Sequence, residues 1–107
     1  MELSSVDSGN PAARPSRPPN DAAVISWWRA EEGPRGVGRS ATGQLEKWFH
    51  GPISRQESEK MLEGQGNGAF LIRLSTRIWG YTLSFNDTDK AKHFLVDAAD
   101  GQYSVFG

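Results

Sequence analysis

The chain has 107 residues, which is enough for one small domain. It carries 12 basic and 13 acidic residues with a formal net charge of −1, so no overall positive field favours nucleic acid or an acidic membrane as a partner. It contains no cysteine, which excludes a disulfide framework, a thiolate zinc site and a cysteine nucleophile. We therefore expect a protein without a metal or other cofactor, in which any cationic site is assembled locally by folding.

The N-terminus does not have the pattern of a secretory signal, because residues 1–5 include no basic start and no apolar run. The longest apolar stretch, residues 22–28, is interrupted by Ser26 and is too short to cross a bilayer. We therefore expect a cytoplasmic protein that does not insert into membranes. The sequence indicates no particular oligomeric state.

The N-terminal tail, residues 1–20, is rich in Ser, Pro, Ala and Arg and has almost nothing to bury. This composition predicts disorder. A P-x-x-P spacing within residues 14–19 leaves a polyproline II ligand as the alternative.

A short Trp-containing helix is predicted for residues 21–32, with Asp21 as its N-cap and Gly33-Pro34 as its end. Because isolated helices of this length are marginal in water, its adjacent tryptophans must dock against another surface or stay exposed. Residues 33–47 have the composition of a linker.

Beyond Leu45 the pattern predicts one helix followed by four strands. Ser54 and Glu57 fit a capping box, which indicates a helix over residues 54–63. Segments with strand patterns follow, separated by turns, at residues 69–75, 80–85, 92–96 and 103–106. The order predicts an α+β fold in which a capped helix precedes a central antiparallel sheet.

Arg73 is the residue that points most directly to a function. It lies in a strand pattern whose other residues favour burial, and a guanidinium is rarely buried without an anion. Alternation in a meander places polar side chains on the same sheet face as Arg73, namely Ser75, Thr82, Ser84 and His93.

Arg55 reaches the same place if the capped helix packs on that face. Two guanidinium groups with hydroxyl donors suit a phosphate, which has many acceptors and accepts bidentate bonds. From the pattern alone, an internal salt bridge from Arg73 to a carboxylate elsewhere in the chain is an equally good explanation.

Four blocks of the sequence resemble a Src homology 2 (SH2) domain in order and spacing. They are WFHGPISR at 48–55, GAFLIRLS at 68–75, GYTLS at 80–84 and KHF at 92–94. The segments IWGYTLS and KHFLVD are most similar to a subgroup of small cytoplasmic adaptors, the group called Src homology 2 domain-containing protein four. The resemblance covers residues 48–107 and corresponds to the N-terminal portion of the family's fold.

The resemblance implies that the chain binds phosphotyrosine. Arg73 would grip the phosphate bidentately at the pocket floor, and Arg55 would contact the phosphate and the tyrosine ring. The remaining roles would belong to Ser75 and Thr76 as phosphate donors, Thr82 and His93 as pocket lining, and Phe94 as a contact beneath the peptide. Leu95 departs from the family pattern, in which many members have a lysine, and this makes the pocket more dependent on Arg55.

Two functions stay open at this point. The first is a phosphotyrosine-binding module of a signalling adaptor, not an enzyme, whose partners are tyrosine-phosphorylated proteins or peptides. Because the resemblance implies a second helix after residue 107, we expect a truncated fold with weakened binding. The second is a non-binding truncated or regulatory form that interacts through its exposed sheet or Trp-containing leader. The leader could also fold onto the sheet face that bears Tyr81, Leu83 and Phe85.

Overall fold

The structure is a computed structural model that describes residues 14–88, 90–99 and 101–106. Most of the predicted disordered tail, residues 1–13, lies outside the described residues. The elements in chain order are α1 (Asp21–Trp27), a π-helical turn (Trp28–Glu32), a 3₁₀ turn (Gly33–Arg35), β1 (Phe49–His50), α2 (Arg55–Leu62), β2 (Phe70–Ser75), β3 (Gly80–Asp87), β4 (Lys90–Ala99) and β5 (Gln102–Phe106). None of the helices in these ranges is long and apolar enough to cross a bilayer.

The five strands form one sheet in the order β1-β2-β3-β4-β5. Strand β1 pairs with β2 in parallel, and the other neighbouring pairs are antiparallel. The predicted α+β fold with a central antiparallel meander is therefore confirmed. Strand β4 is longer than predicted because Lys90 and Ala91 pair with β3 and its last residues pair with β5.

Helix α2 begins with the predicted capping box. The Ser54 hydroxyl accepts from the Glu57 amide at 3.0 Å, and the Glu57 carboxylate accepts from the Ser54 amide at 2.8 Å. These bonds to Ser54, first to its backbone, lower the pKa of the Glu57 carboxyl. The helix buries Ser58 and Leu62, and the Asn86 side chain donates to the Leu62 carbonyl at 2.7 Å. The capping box thus fixes where α2 begins, and the Asn86 bond attaches its C-terminal end to β3.

Helix α1 packs on the opposite face of the sheet. Its N-cap is Asn20, whose side chain accepts from the Ala23 amide at 2.8 Å, so the predicted N-cap Asp21 is instead the first helical residue. The main apolar core consists of Val24, Trp27, Trp28, Leu74, Tyr81 and Ala98. The leader, which we define as residues 14–47, therefore contributes half of this core.

The described part of the predicted tail, residues 14–20, also lies against the protein. The Trp79 indole donates to the Pro15 carbonyl at 2.7 Å, and the Arg14 guanidinium lies 4.8 Å from the centre of the Trp79 ring. Composition does not reveal these two contacts, a hydrogen bond and a cation–π contact, because both depend on Trp79 more than 60 residues further along the chain.

Gly38 explains how the predicted linker passes close to the sheet. It has a φ of +77°, and a Cβ at this position would lie 2.6 Å from the Phe49 ring. Only glycine combines this backbone conformation with such a close approach. The predicted linker thus contacts β1 at Gly38.

Glu32 links the leader to two strands. It is only 1% exposed, and its Oε1 accepts from the hydroxyls of Tyr81 at 2.6 Å and Tyr103 at 2.9 Å. Its other oxygen accepts from the Arg35 guanidinium at 3.0 Å. A buried carboxylate is tolerated when its oxygens are hydrogen-bonded in this way. The residue therefore fixes the end of the π-helical turn to β3 and β5.

We expect Glu32→Ala to lower the free energy of unfolding by about 3–5 kcal/mol, because the substitution leaves two phenols and one guanidinium without their acceptor. Glu31→Ala is the matched control, since its ion pair with Arg14 is exposed and contributes at most about 1 kcal/mol. Urea unfolding followed by tryptophan fluorescence measures both variants. Equal effects of the two substitutions would contradict this role of Glu32.

The free energy of unfolding should decrease at alkaline pH because of the phenols that donate to Glu32. Burial, followed by the bond to Glu32, raises the pKa of the Tyr81 and Tyr103 phenols above that of an unfolded tyrosine. Their contribution is fully present below the unfolded pKa of about 10 and is lost as the pH rises above it. We expect the urea midpoint of the wild type to fall more steeply above about pH 10 than that of Tyr81→Phe. Parallel curves would argue against this linkage.

Candidate functional site

Arg73 lies near the middle of β2, on the sheet face that α2 covers. Its backbone partners are Thr82 on β3 and His50 on β1, and Thr82 in turn pairs with Leu95 on β4. This register aligns a cation, a hydroxyl and an apolar side chain across three strands. The site is therefore a direct result of strand alternation.

A cleft of about 540 Å³ lies between this face, the start of α2 and the loop between β2 and β3. The predicted phosphate-site residues that line it are Arg55, Arg73, Ser75, Thr76, Thr82 and His93. The fold thus brings together residues that lie up to 38 positions apart in the chain.

Neutral acceptors hold the Arg73 guanidinium in place. Its Nε donates to the Ser84 hydroxyl at 3.2 Å, and its Nη1 donates to the Ile53 carbonyl at 3.2 Å. Its Nη2 lies 3.5 Å from Nδ1 of His93. Within the described ranges, Arg73 forms no ion pair with a carboxylate. The internal salt bridge that the sequence left open is therefore not formed among these residues.

The electrostatics of the cleft reflect this lack of a counter-charge on Arg73. Burial is the main cause that lowers the pKa of its guanidinium, and the nearby charge of Arg55 acts in the same direction. Glu59 acts in the opposite direction. A partly desolvated guanidinium that keeps its proton attracts an anion more strongly than an exposed one does.

Arg55 is the first residue of α2, and its side chain is 67% exposed. Its Nε lies 3.4 Å from the Glu59 carboxylate, one helical turn further along. The same carboxylate oxygen accepts from Nε2 of His93 at 2.8 Å. Arg55 therefore lies at the exposed rim of the cleft.

The hydroxyl residues of the cleft differ in burial and in hydrogen-bond partners. Ser75 is buried, and its hydroxyl accepts from the Arg77 amide at 3.0 Å, which shapes the loop after β2. Thr76 is half-buried and Thr82 is buried, and both line the cleft. Ser75 thus already has a structural partner, whereas Thr76 is more accessible from the loop.

Phe94, the predicted peptide contact, is the one predicted residue outside the cleft lining. Its ring stacks on Phe85 with centroids 5.6 Å apart. Strand alternation places its side chain on the sheet face opposite to its neighbour His93. The structure does not bring Phe94 together with the phosphate-site residues, and its contact with a peptide stays a prediction.

Two residues of this network were not among the predicted site residues. Ser84 was recognised as sharing the face of Arg73 but had no assigned role, although it is fully buried and contacts both Arg73 and His93. Glu59 was not recognised at all. Its position four residues after Arg55 on a capped helix is the signal that could have placed it beside the cleft.

Comparison with known proteins agrees with the resemblance noted in the sequence. A family model described as SH2 domain matches residues 48–107. SH2 domain-containing protein 4A of Xenopus tropicalis is 44% identical over 89 residues, which cover 82% of this chain and 20% of that protein. Human Hematopoietic SH2 domain-containing protein is 44% identical over 72 residues, which cover 66% of this chain and 20% of that protein. The chain thus spans about a fifth of the length of these relatives.

Solved structures show the same similarity. The solution structure of the SH2 domain of a Monosiga brevicollis CRK/CRKL homologue superposes with a TM-score of 0.54 at 31% identity, covering 65% of this chain and 66% of that one. The VAV1 SH2 domain, solved in complex with a tyrosine-phosphorylated peptide from SLP76, gives a TM-score of 0.50 at 27% identity. That alignment covers 55% of this chain and 44% of the VAV1 chain.

We expect Ser84→Ala to lower the free energy of unfolding by about 1–3 kcal/mol, because Arg73 and His93 lose a partner in a partly desolvated site. The exposed Ser104→Ala in β5 serves as the control and should change stability little. Chemical denaturation monitored by circular dichroism makes the comparison. A Ser84→Ala variant as stable as the control would show that this hydroxyl does not hold the arginine.

Proposed function

Because this chain belongs to the SH2 domain family, we propose that it is a phosphotyrosine-binding module of a cytoplasmic signalling adaptor. Its partners would be tyrosine-phosphorylated proteins or peptides. The proposal is one of binding rather than catalysis. The phosphopeptide complex of the related VAV1 domain supports this class of ligand.

Arg73 provides the main support for the proposal. It is a half-buried guanidinium held by a hydroxyl and a carbonyl, with the His93 ring beside it, and among the described residues it has no carboxylate partner. A phosphate dianion supplies the missing negative charge and accepts from the donors that point into the cleft. In this proposal Arg73 binds the phosphate at the floor of the cleft.

The other cleft residues complete the proposed site. Arg55 would leave Glu59 and contact the phosphate and the phenol ring, because its exposed side chain costs little to move. Thr76 and Ser75 would donate from the loop after β2, and Thr82 and His93 would form the walls. Phe94 would contact the peptide beyond the phosphotyrosine.

The depth of Arg73 favours tyrosine over serine as the carrier of the phosphate. The guanidinium lies within the sheet at partial burial, so a phosphate must be carried past the rim where Arg55 lies. A phenol is long enough to do this, whereas the short side chain of phosphoserine leaves the phosphate near the rim. Leu95 adds an apolar wall against which an aromatic ring packs.

The alternative, a form that does not bind phosphotyrosine and acts through apolar surface, has one supporting observation. The outer strand β5 exposes Tyr103, Val105 and Phe106 at 45%, 66% and 50%. The leader is less suited to this role than the sequence implied, because Trp27 and Trp28 are each only 6% exposed.

We expect the chain to bind a fluorescent peptide mixture of random sequence around a fixed phosphotyrosine, measured by fluorescence anisotropy. Arg73→Lys should weaken binding by about tenfold or more, because a single ammonium cannot replace a bidentate guanidinium. Arg29→Lys, an exposed substitution of the same type in the leader, is the control and should bind like the wild type.

Two peptide controls make the experiment specific. The same mixture with unphosphorylated tyrosine should not bind, and a phosphoserine mixture should bind much more weakly than phosphotyrosine. Binding that does not depend on the phosphate, or that is the same for Arg73→Lys and the wild type, would refute the proposed function and favour the alternative.

A further inference from the structure

Glu59 introduces a negative charge next to the proposed phosphate site. Its side chain is 41% exposed, and its Oε2 lies 2.8 Å from Nε2 of His93 and 3.4 Å from Nε of Arg55. A carboxylate at this place repels an incoming phosphate. A carboxylate that opposes phosphate binding is expected to have another function in the site, and its hydrogen bond with His93 indicates which one.

The hydrogen bonds around His93 have one consistent direction. An ionised carboxylate only accepts, so Nε2 of His93 carries a proton and donates it to Glu59. Nδ1 lies 3.5 Å from Nη2 of Arg73, which can only donate, so Nδ1 is an acceptor and the Ser84 hydroxyl donates to it at 2.8 Å. Since Ser84 uses its only proton in that bond, its oxygen is left to accept from Nε of Arg73 at 3.2 Å. The order of donation is Arg73 to Ser84, Ser84 to His93, and His93 to Glu59.

We propose that Glu59 is a positioning residue of the phosphate site, which holds Arg73 in its binding orientation through His93 and Ser84. Its contribution to phosphopeptide affinity rests on the proposed function, whereas its effect on Arg73 in the free protein does not. The His93 side chain is only 6% exposed while Glu59 covers it, so Glu59 is the acceptor that Nε2 has in the folded protein.

The charge state of Glu59 agrees with this role. The hydrogen bond from His93 is the main cause that lowers the pKa of the Glu59 carboxyl, with a smaller contribution from the charge of Arg55. The residue is thus an obligate acceptor at neutral pH. An acceptor that cannot donate fixes the direction of the bond from Nε2 of His93.

A competing role for Glu59 makes the opposite prediction. If the carboxylate only held Arg55 away from the ligand, its removal would free Arg55 and strengthen phosphate binding. If it positions Arg73, its removal must weaken binding even though a negative charge is lost. The sign of the change in affinity therefore separates the two roles.

Three substitutions of Glu59 test the proposal. Glu59→Ala and Glu59→Met remove the acceptor, and both residues are good helix formers at a partly exposed position. Glu59→Gln removes the charge but keeps an oxygen that accepts from His93. We expect the first two to weaken binding of the phosphotyrosine peptide mixture by about fivefold, and Glu59→Gln to retain wild-type affinity within about twofold. Glu63→Ala, which removes a charge just after the same helix, should have no effect.

A second measurement does not depend on any ligand. In the free protein, the proton–nitrogen NMR signal of the Arg73 Nε group should exchange slowly with solvent, because this proton is bonded to Ser84. Glu59→Ala and Glu59→Met should speed up this exchange although Glu59 does not touch Arg73, and Glu59→Gln should restore it. If the wild type does not bind phosphotyrosine peptides, the proposed function is refuted, but the exchange measurement still tests the positioning role. Unchanged exchange in both apolar variants, or tighter peptide binding by them, would overturn the positioning role.

Discussion

The candidate site depends on how the half-buried guanidinium of Arg73 is held within the sheet. Arg73 is satisfied by neutral acceptors from two directions, the Ile53 carbonyl before α2 and the Ser84 hydroxyl on β3. Each of these acceptors is itself fixed, one by the capped start of the helix and one by the strand register. The cap, the helix and the central strands therefore together hold a single cation that lines the cleft.

The two faces of the sheet carry charged side chains in contrasting environments. On the leader side, the Glu32 carboxylate receives three hydrogen bonds and is closed off from solvent. On the α2 side, Arg73 lies in an open cleft and has no described carboxylate within ion-pairing distance. A satisfied charge joins parts of the chain, whereas an uncompensated one is available to a ligand. The same sheet thus has a hydrogen-bonded, buried carboxylate on one face and, on the other, an arginine without an ion pair among the described residues.

Much of the fold could be predicted because its signals are local. The capping box at Ser54 fixed the start of α2, and alternating apolar residues identified four strands and the face of Arg73. The two-residue strand β1 was missed, since its pairing depends on a distant strand rather than on its own pattern. The sequence left open whether the leader packs on the sheet. Its hydrogen bonds to the sheet join residues far apart in the chain, Pro15 with Trp79 and Glu32 with Tyr81, and no local pattern indicates such pairs.

The candidate site was predictable to a similar extent. Strand alternation and family blocks pointed to the residues that line the cleft, but neither could show which hydroxyls were already engaged. Ser75 is used by the loop backbone, and Ser84 connects two side chains. Strand alternation could not identify Glu59, because this residue lies on helix α2. Hydrogen-bond direction between elements is a three-dimensional property, which a linear pattern does not contain.

The packing of the leader has a practical consequence for how the protein is produced and delimited. The family match begins at residue 48, yet the alignment with the Xenopus relative covers 82% of the chain and so extends upstream of that boundary. A recombinant fragment trimmed to the matched region would expose Leu74, Tyr81 and Ala98 to water and would be prone to aggregate. The region that matches the family model is thus shorter than the stretch of chain whose side chains form the main apolar core.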